Sequence, residues 1–173
     1  MPTAVLDTHP GLDSADAKIS SHAIVILLAD DDEDDRMLTA DALRESRAPN
    51  DLRSVGDGED LMDYLYHRGK HAPPATSPRP GLVLLDLNMP RKDGLEALGE
   101  MKDDPALRSI PVVILTTSRT EADIERTYNL GANSFIVKPV TFDGLADAMR
   151  VVTEYWLQTV QLPTGAPSRT KEN

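Results

Sequence analysis

The chain has 173 residues, within the range of one domain with tails; its 40% hydrophobic and 27% charged residues suffice for a buried core. Eighteen Lys and Arg stand against 29 Asp and Glu, a formal net charge of −11, and so acidic a surface repels phosphate backbones and anionic lipid, which argues against nucleic acid or membrane as a partner. There is no cysteine, which excludes a disulfide framework, a thiolate nucleophile and a Cys-ligated metal. No run approaches the ~20 apolar residues needed to span a bilayer, and no basic region followed by an apolar run opens the chain, so a soluble cytoplasmic protein is expected.

Residues 1–22, with Pro2, Pro10, Gly11 and scattered Asp, Ser and Thr, show no apolar period and predict a disordered tail. Ile24 to Ala29 is a continuous apolar run, read as a first strand. Residues 33–47 follow with Met37, Leu38, Ala40, Ala42 and Leu43 as a helix, and 51–55 is a weaker strand candidate. A helix over 59–68 carries Leu61, Met62 and Leu65. Residues 69–81 hold Pro73, Pro74, Pro78 and Pro80 and predict a long surface connection. Gly81 to Asp86, Pro111 to Leu115 and Ser134 to Val137 supply three more strands, separated by helices over 94–103 and 120–130. The last helix, 142–160, has a stripe of Leu145, Met149, Val152, Trp156 and Val160. A second tail is expected at 163–173, leaving 23–162 as the folded domain. Continuous rather than alternating apolar runs suit strands buried on both faces. The βα alternation therefore predicts an α/β fold, a five-stranded parallel sheet doubly wound by helices on both faces. Sites in such sheets lie beyond the carboxyl ends of the strands.

Those ends are rich in chemistry. Asp30 to Asp35 is an unbroken acidic run. Acids favour the first turn of a helix, which accounts for Asp32 to Asp35 but not for Asp30 and Asp31 at the strand end. Asp86 closes the third strand, in the phrase Asp86-Leu87-Asn88-Met89-Pro90. Converging carboxylates repel unless a cation or a shared proton offsets the cost. Without Cys or a nearby His they point to a hard, oxygen-ligated ion, for which Mg²⁺ is the best fit. The fourth strand ends on Thr116, Thr117 and Ser118, and the fifth on Lys138-Pro139. The proline invites a cis peptide there.

Two Asp, one Asp, one Thr and one Lys, each set at a strand end in this order, resemble the receiver domain of bacterial response regulators, the flavodoxin-like or CheY-like (βα)5 fold. The matching stretches are Ile26 to Asp32, Val83 to Pro90 with Asp93-Gly94 behind it, Val112 to Ser118, and Gly131 to Pro139. The resemblance implies that Asp86 is the phospho-acceptor and that Asp30 and Asp31 form the acidic pair holding Mg²⁺, Asp31 directly. It further implies that Asn88 offers its backbone carbonyl to the metal. Thr116 then corresponds to the hydroxyl that bonds the phosphoryl group, Lys138 to the ammonium that pairs with it, and Phe135 to the aromatic switch. The donor would be a phospho-histidine on a sensor histidine kinase, so no nucleotide loop is needed, and none is present. Two positions depart from the pattern: Phe135 lacks the hydroxyl of the Tyr often found there, and Thr117 is larger than the usual small residue.

The long loop before the third strand, Leu115 to Ser118 and Glu154 to Pro163 are similar to single-domain regulators that partner phytochrome-type sensor kinases. That likeness implies a homodimer through the fourth and fifth helices and fifth strand, and Ala148, Val151 and Tyr155 form a second apolar face on the last helix. The expected role is a phosphorylation-switched signalling module, not an enzyme beyond its own phosphoryl transfer and dephosphorylation. A phosphate sink without output is a second reading, and a phosphate-independent scaffold a third. An aspartyl-phosphate phosphohydrolase needs an acid two residues after the nucleophile, where Asn88 cannot transfer the proton.

Overall fold

The computed structural model describes residues 23–163. The tails expected at 1–22 and 163–173 lie, apart from Pro163, outside the described residues. Five strands, β1 (Ile24–Ala29), β2 (Asn50–Val55), β3 (Leu82–Leu85), β4 (Val112–Thr116) and β5 (Ser134–Val137), form one parallel sheet in the order β2-β1-β3-β4-β5. Between and after them run α1 (Glu33–Glu45), α2 (Gly58–Leu65), α3 (Gly94–Asp103), α4 (Glu121–Leu130) and α5 (Phe142–Thr153).

The three inner strands are continuous apolar runs because both their faces are covered. Alternate residues point to opposite faces: Leu27, Ala29, Val83, Leu85, Val112 and Ile114 pack with α2 and α3, and Ile26, Leu28, Leu82, Leu84, Val113 and Leu115 pack with α1 and α5. Each helix starts on a side-chain cap that fixes where its strand–helix loop turns: Asp32, Asp57, Asp93, Thr120 and Thr141 each accept N–H groups of the first turn. These loops all leave the carboxyl edge of the sheet.

Four expectations about elements change. α1 stops at Glu45, and Met37 (61% exposed) and Leu38 (44%) face solvent rather than the core. α2 ends at Leu65, and His67 takes a positive φ of 56°. The last helix is α-helical only to Thr153 and continues as a π-helical turn, Glu154–Thr159, so Trp156 is half-buried and Val160 lies beyond it. Finally, the cis peptide among the described residues is Pro73-Pro74, and Lys138-Pro139 is trans. The 69–81 connection is tied down throughout. His71 and Lys70 bond Asp60, the Tyr64 hydroxyl donates to the Pro78 carbonyl, and Arg79 donates to Ala106 and Ser109.

Candidate functional site

β1 leads to β2 on one side of the sheet and β3 pairs on the other, so the strand order reverses between β1 and β3. That crevice is where ligands bind in open α/β sheets, and Asp30 and Asp86 sit on its two lips. Backbone bonds carry both past the strand ends: the Asp30 N–H donates to the Val55 carbonyl at 3.2 Å, and the Asp86 N–H to the Ala29 carbonyl at 2.9 Å. Asp30 is 1% exposed and Asp86 6%, whereas Asp31 faces solvent. One carboxylate oxygen from each of the three lies within 4.8 Å of the others.

Lys138 enters from the end of β5, its backbone N–H held by the Thr116 carbonyl at 2.7 Å. Its ammonium donates to Asp30 Oδ2 at 2.6 Å, Asp35 Oδ2 at 2.7 Å and Asp86 Oδ2 at 3.3 Å. Asp35 is the residue that the sequence reading left out. Its place in the first turn of α1 accounts for an acid there, but it is also a partner of Lys138 across 103 positions of chain, a pairing no local pattern displays. Burial works against the Lys138 charge, but bonds to Asp30 and Asp35 and the nearby Asp86 outweigh it and hold its pKa above the ordinary lysine value. Burial is also the largest influence on Asp30. It pushes that carboxyl up from 3.8, and the bonds from Lys138 and the Asp32 N–H offset only part of the rise.

Thr116 is fully buried at the end of β4, and its Oγ1 accepts the Ser118 N–H at 3.3 Å. Asn88 is exposed, and its N–H donates to Asp86 Oδ1 at 3.3 Å. Phe135, half-buried, packs against the core cluster on the α2/α3 side. As β5 is an edge strand, the Phe135 N–H has no strand partner on that side and donates to the Tyr128 hydroxyl of α4 at 3.2 Å. The structure therefore brings Asp30, Asp31, Asp86 and Lys138 together, adds Asp35, places Thr116 at the neighbouring strand end, and puts Phe135 one strand further out.

The donor set is chemically suited to a hard cation. It is all oxygen, on rigid strand ends, and at full ionisation four carboxylates (Asp30, Asp31, Asp35 and Asp86) face one ammonium. A divalent ion fits that charge imbalance.

The response regulator receiver domain family matches residues 26–150. Response regulator Rcp1 of Synechocystis is 40% identical over 139 residues, covering 80% of this chain and 92% of Rcp1. A crystal structure of its Mn²⁺-bound form superposes with a TM-score of 0.75, covering 82% of this chain and 99% of that one. The phosphorylated cyanobacterial phytochrome response regulator RcpA is 40% identical with a TM-score of 0.76, covering 83% of this chain and 100% of that one. RPA3017, a response regulator in red-light signalling of R. palustris, is 35% identical with a TM-score of 0.76, over 82% and 99% of the two chains. No described helix is long and apolar enough to cross a membrane.

Proposed function

The chain belongs to the response regulator receiver domain family, and on that premise we propose that it is a cytoplasmic regulator that takes a phosphoryl group onto Asp86 from a phospho-histidine of a phytochrome-type sensor kinase. The observation that carries this reading is the convergence of Asp30, Asp31 and Asp86 with the Lys138 ammonium at the strand-order reversal.

In the proposed reaction an Asp86 carboxylate oxygen attacks the donor phosphorus in line. The P–O bond forms as the P–N bond to the imidazole breaks, and the imidazole leaves to take up a proton. A carboxylate attacks an anionic phosphoryl group poorly, so catalysis here is positioning and neutralisation of the equatorial oxygens. Asp31, Asp86 and the Asn88 carbonyl would hold Mg²⁺, with Asp30 acting through water. The bound ion would supply positive charge to the transferring group. Lys138 would supply a second positive charge, and the Thr116 hydroxyl would donate to a phosphoryl oxygen once one is present.

The kinase would dock beside this pocket. Leu38, Val140 (95% exposed) and Phe142 present apolar surface around a hollow of about 260 Å³ that Lys138 and Asp35 also line, and exposed apolar patches of this kind mark protein contacts. A homodimer would form on the other side, where Tyr128, Val151 and Tyr155 are 49%, 59% and 51% exposed. The test is transfer of labelled phosphate from a phosphorylated phytochrome-type kinase, with Mg²⁺, to the wild type and to Asp86→Asn. Label on the wild type and none on Asp86→Asn is expected. Equal labelling would remove Asp86 from the role, and no labelling of either would remove the proposed donor.

A further inference from the structure

The segment that carries Asn88 runs from Asp86 to the start of α3, and its far half is anchored on the β2–α2 turn. The Asp57 side chain, only 11% exposed, has two tasks there. Its Oδ1 caps α2 by accepting the Asp60 N–H at 2.9 Å. Its Oδ2 accepts Arg91 Nε at 2.9 Å and Nη2 at 2.5 Å, while Glu59 takes Arg91 Nη1 at 3.1 Å. The backbones of the two turns also touch. The Gly58 N–H donates to the Lys92 carbonyl at 3.0 Å, and a Cβ at position 58 would sit 2.4 Å from that oxygen.

Arg91 itself is held at φ 63°, a left-handed conformation that a residue with a β-carbon adopts only when its surroundings enforce it. The fork onto Asp57 and the Gly58 N–H bond to the next residue's carbonyl both hold this stretch in place. At the other end of the segment the Gly94 N–H donates to the Leu87 carbonyl at 2.9 Å. There a Cβ would lie 2.2 Å from the Asp86 carbonyl oxygen. Asn88 and Met89 lie between these two fixed points, so their placement depends on both. Gly94 acts through the backbone beneath Asp86, and Asp57 acts through a side chain from a different strand–helix turn.

We propose that Asp57 and Arg91 are positioning residues of the metal site, whose ion pair sets where the Asn88 carbonyl stands relative to Asp86. This rests on the assignment of Mg²⁺ to Asp31, Asp86 and Asn88 made above. Neither side chain hydrogen-bonds Asp30, Asp31 or Asp86, so any influence on the ion is indirect. The 69–81 connection feeds into the same turn: Asp60, whose N–H Asp57 caps, accepts the Gly56 N–H and binds Lys70 and His71.

The experiment titrates the metal-free full chain with Mg²⁺ by calorimetry and records the melting temperature in chelator. The variants are Arg91→Ala, Arg91→Lys, Asp57→Asn and Asp31→Asn. Asp57→Asn keeps an oxygen for the Asp60 N–H and loses only the charge partner, so the α2 cap survives. Arg91→Ala and Asp57→Asn are expected to weaken Mg²⁺ binding about tenfold, the lower end for residues that orient metal ligands; Asp57→Asn should melt close to wild type, and Arg91→Ala lower, because it leaves the Asp57 charge without its partner. Arg91→Lys retains the charge without the fork and should fall between. Unchanged affinity in Arg91→Ala and Asp57→Asn, beside a wild type whose binding depends on Asp31, would overturn the clamp and leave the metal assignment standing. A lower melting temperature with unchanged affinity would mark a purely structural pair and overturn it equally. Mg²⁺ binding that is absent from the wild type or indifferent to Asp31→Asn would overturn the metal assignment and the clamp with it.

Discussion

Lys138→Met removes the ammonium that faces Asp30, Asp35 and Asp86, and its cost can be worked from their burial. Asp30 has a side-chain exposure of 1% and Asp86 of 9%, so neither can turn to water. Asp35, at 36%, can, and contributes little. Stripping the partner from a buried ion pair costs ~3–5 kcal/mol. The carboxyl can instead take a proton, which from an ordinary pKa of 3.8 costs about 4 kcal/mol at pH 7. The expected loss at pH 7 without metal is therefore about 3–4 kcal/mol, or a melting temperature lower by roughly 6–16 °C. The sign of the pH dependence follows from Asp30, whose folded pKa is already raised and rises further in the variant. Such a carboxyl costs stability above its folded pKa, and the cost fades as the pH falls toward 3.8. Lys138 of the wild type, with its pKa raised from 10.5, contributes its full share at every pH below that value. The gap between variant and wild type should thus narrow to about 1.5 kcal/mol at pH 5, and saturating Mg²⁺ should recover part of it. Chemical unfolding at pH 7 and pH 5 is the assay. A variant as stable as wild type at pH 7, or a gap that widens toward pH 5, would refute the counter-ion role.

Asp35→Asn frees Lys138 from a competing carboxylate, and a partly exposed charge of this kind is worth about 1 kcal/mol. Beryllium fluoride, as a phosphoryl analogue with Mg²⁺, should bind roughly fivefold tighter in a fluoride titration followed by NMR. Thr116→Ala should still accept phosphate on Asp86 but pass it poorly to the α4–β5–α5 face. Phe135→Ala should share that defect, read as loss of phosphorylation-dependent shifts at Tyr128, and the coupling removed is about 1–3 kcal/mol. Tyr155→Glu should weaken the proposed homodimer at least tenfold in sedimentation equilibrium, because it places a charge on a face that includes Val151.

Much of this molecule is legible in its residues, for local reasons. Leu82 to Leu85 and Val112 to Leu115 declare themselves as doubly covered strands because the apolar run never breaks. Asp30, Asp86, Thr116 and Lys138 can be placed because strand ends in a parallel sheet share one edge. What escapes is set by distance along the chain or by which side of a helix is covered. Met37 and Leu38 fit a helical stripe as well as Ala42 and Leu43 do, yet α5 covers only the latter pair. Asp35 looks like any first-turn acid until Lys138 arrives from β5. The Asp57–Arg91 fork spans 34 positions, and nothing near either residue announces the other. The expected straight helix to 160 fails because Trp156 and Leu157 turn back onto the core through a π-helical turn.

Everything proposed for the switch begins with a phosphoryl group on Asp86. Incubation with acetyl phosphate and Mg²⁺, borohydride trapping of the acyl phosphate and peptide mass spectrometry locate it directly. One reduced residue is expected, at position 86, and none in Asp86→Asn or without Mg²⁺. Trapping at Asp30 or Asp31 instead, or equal trapping in Asp86→Asn, would contradict it.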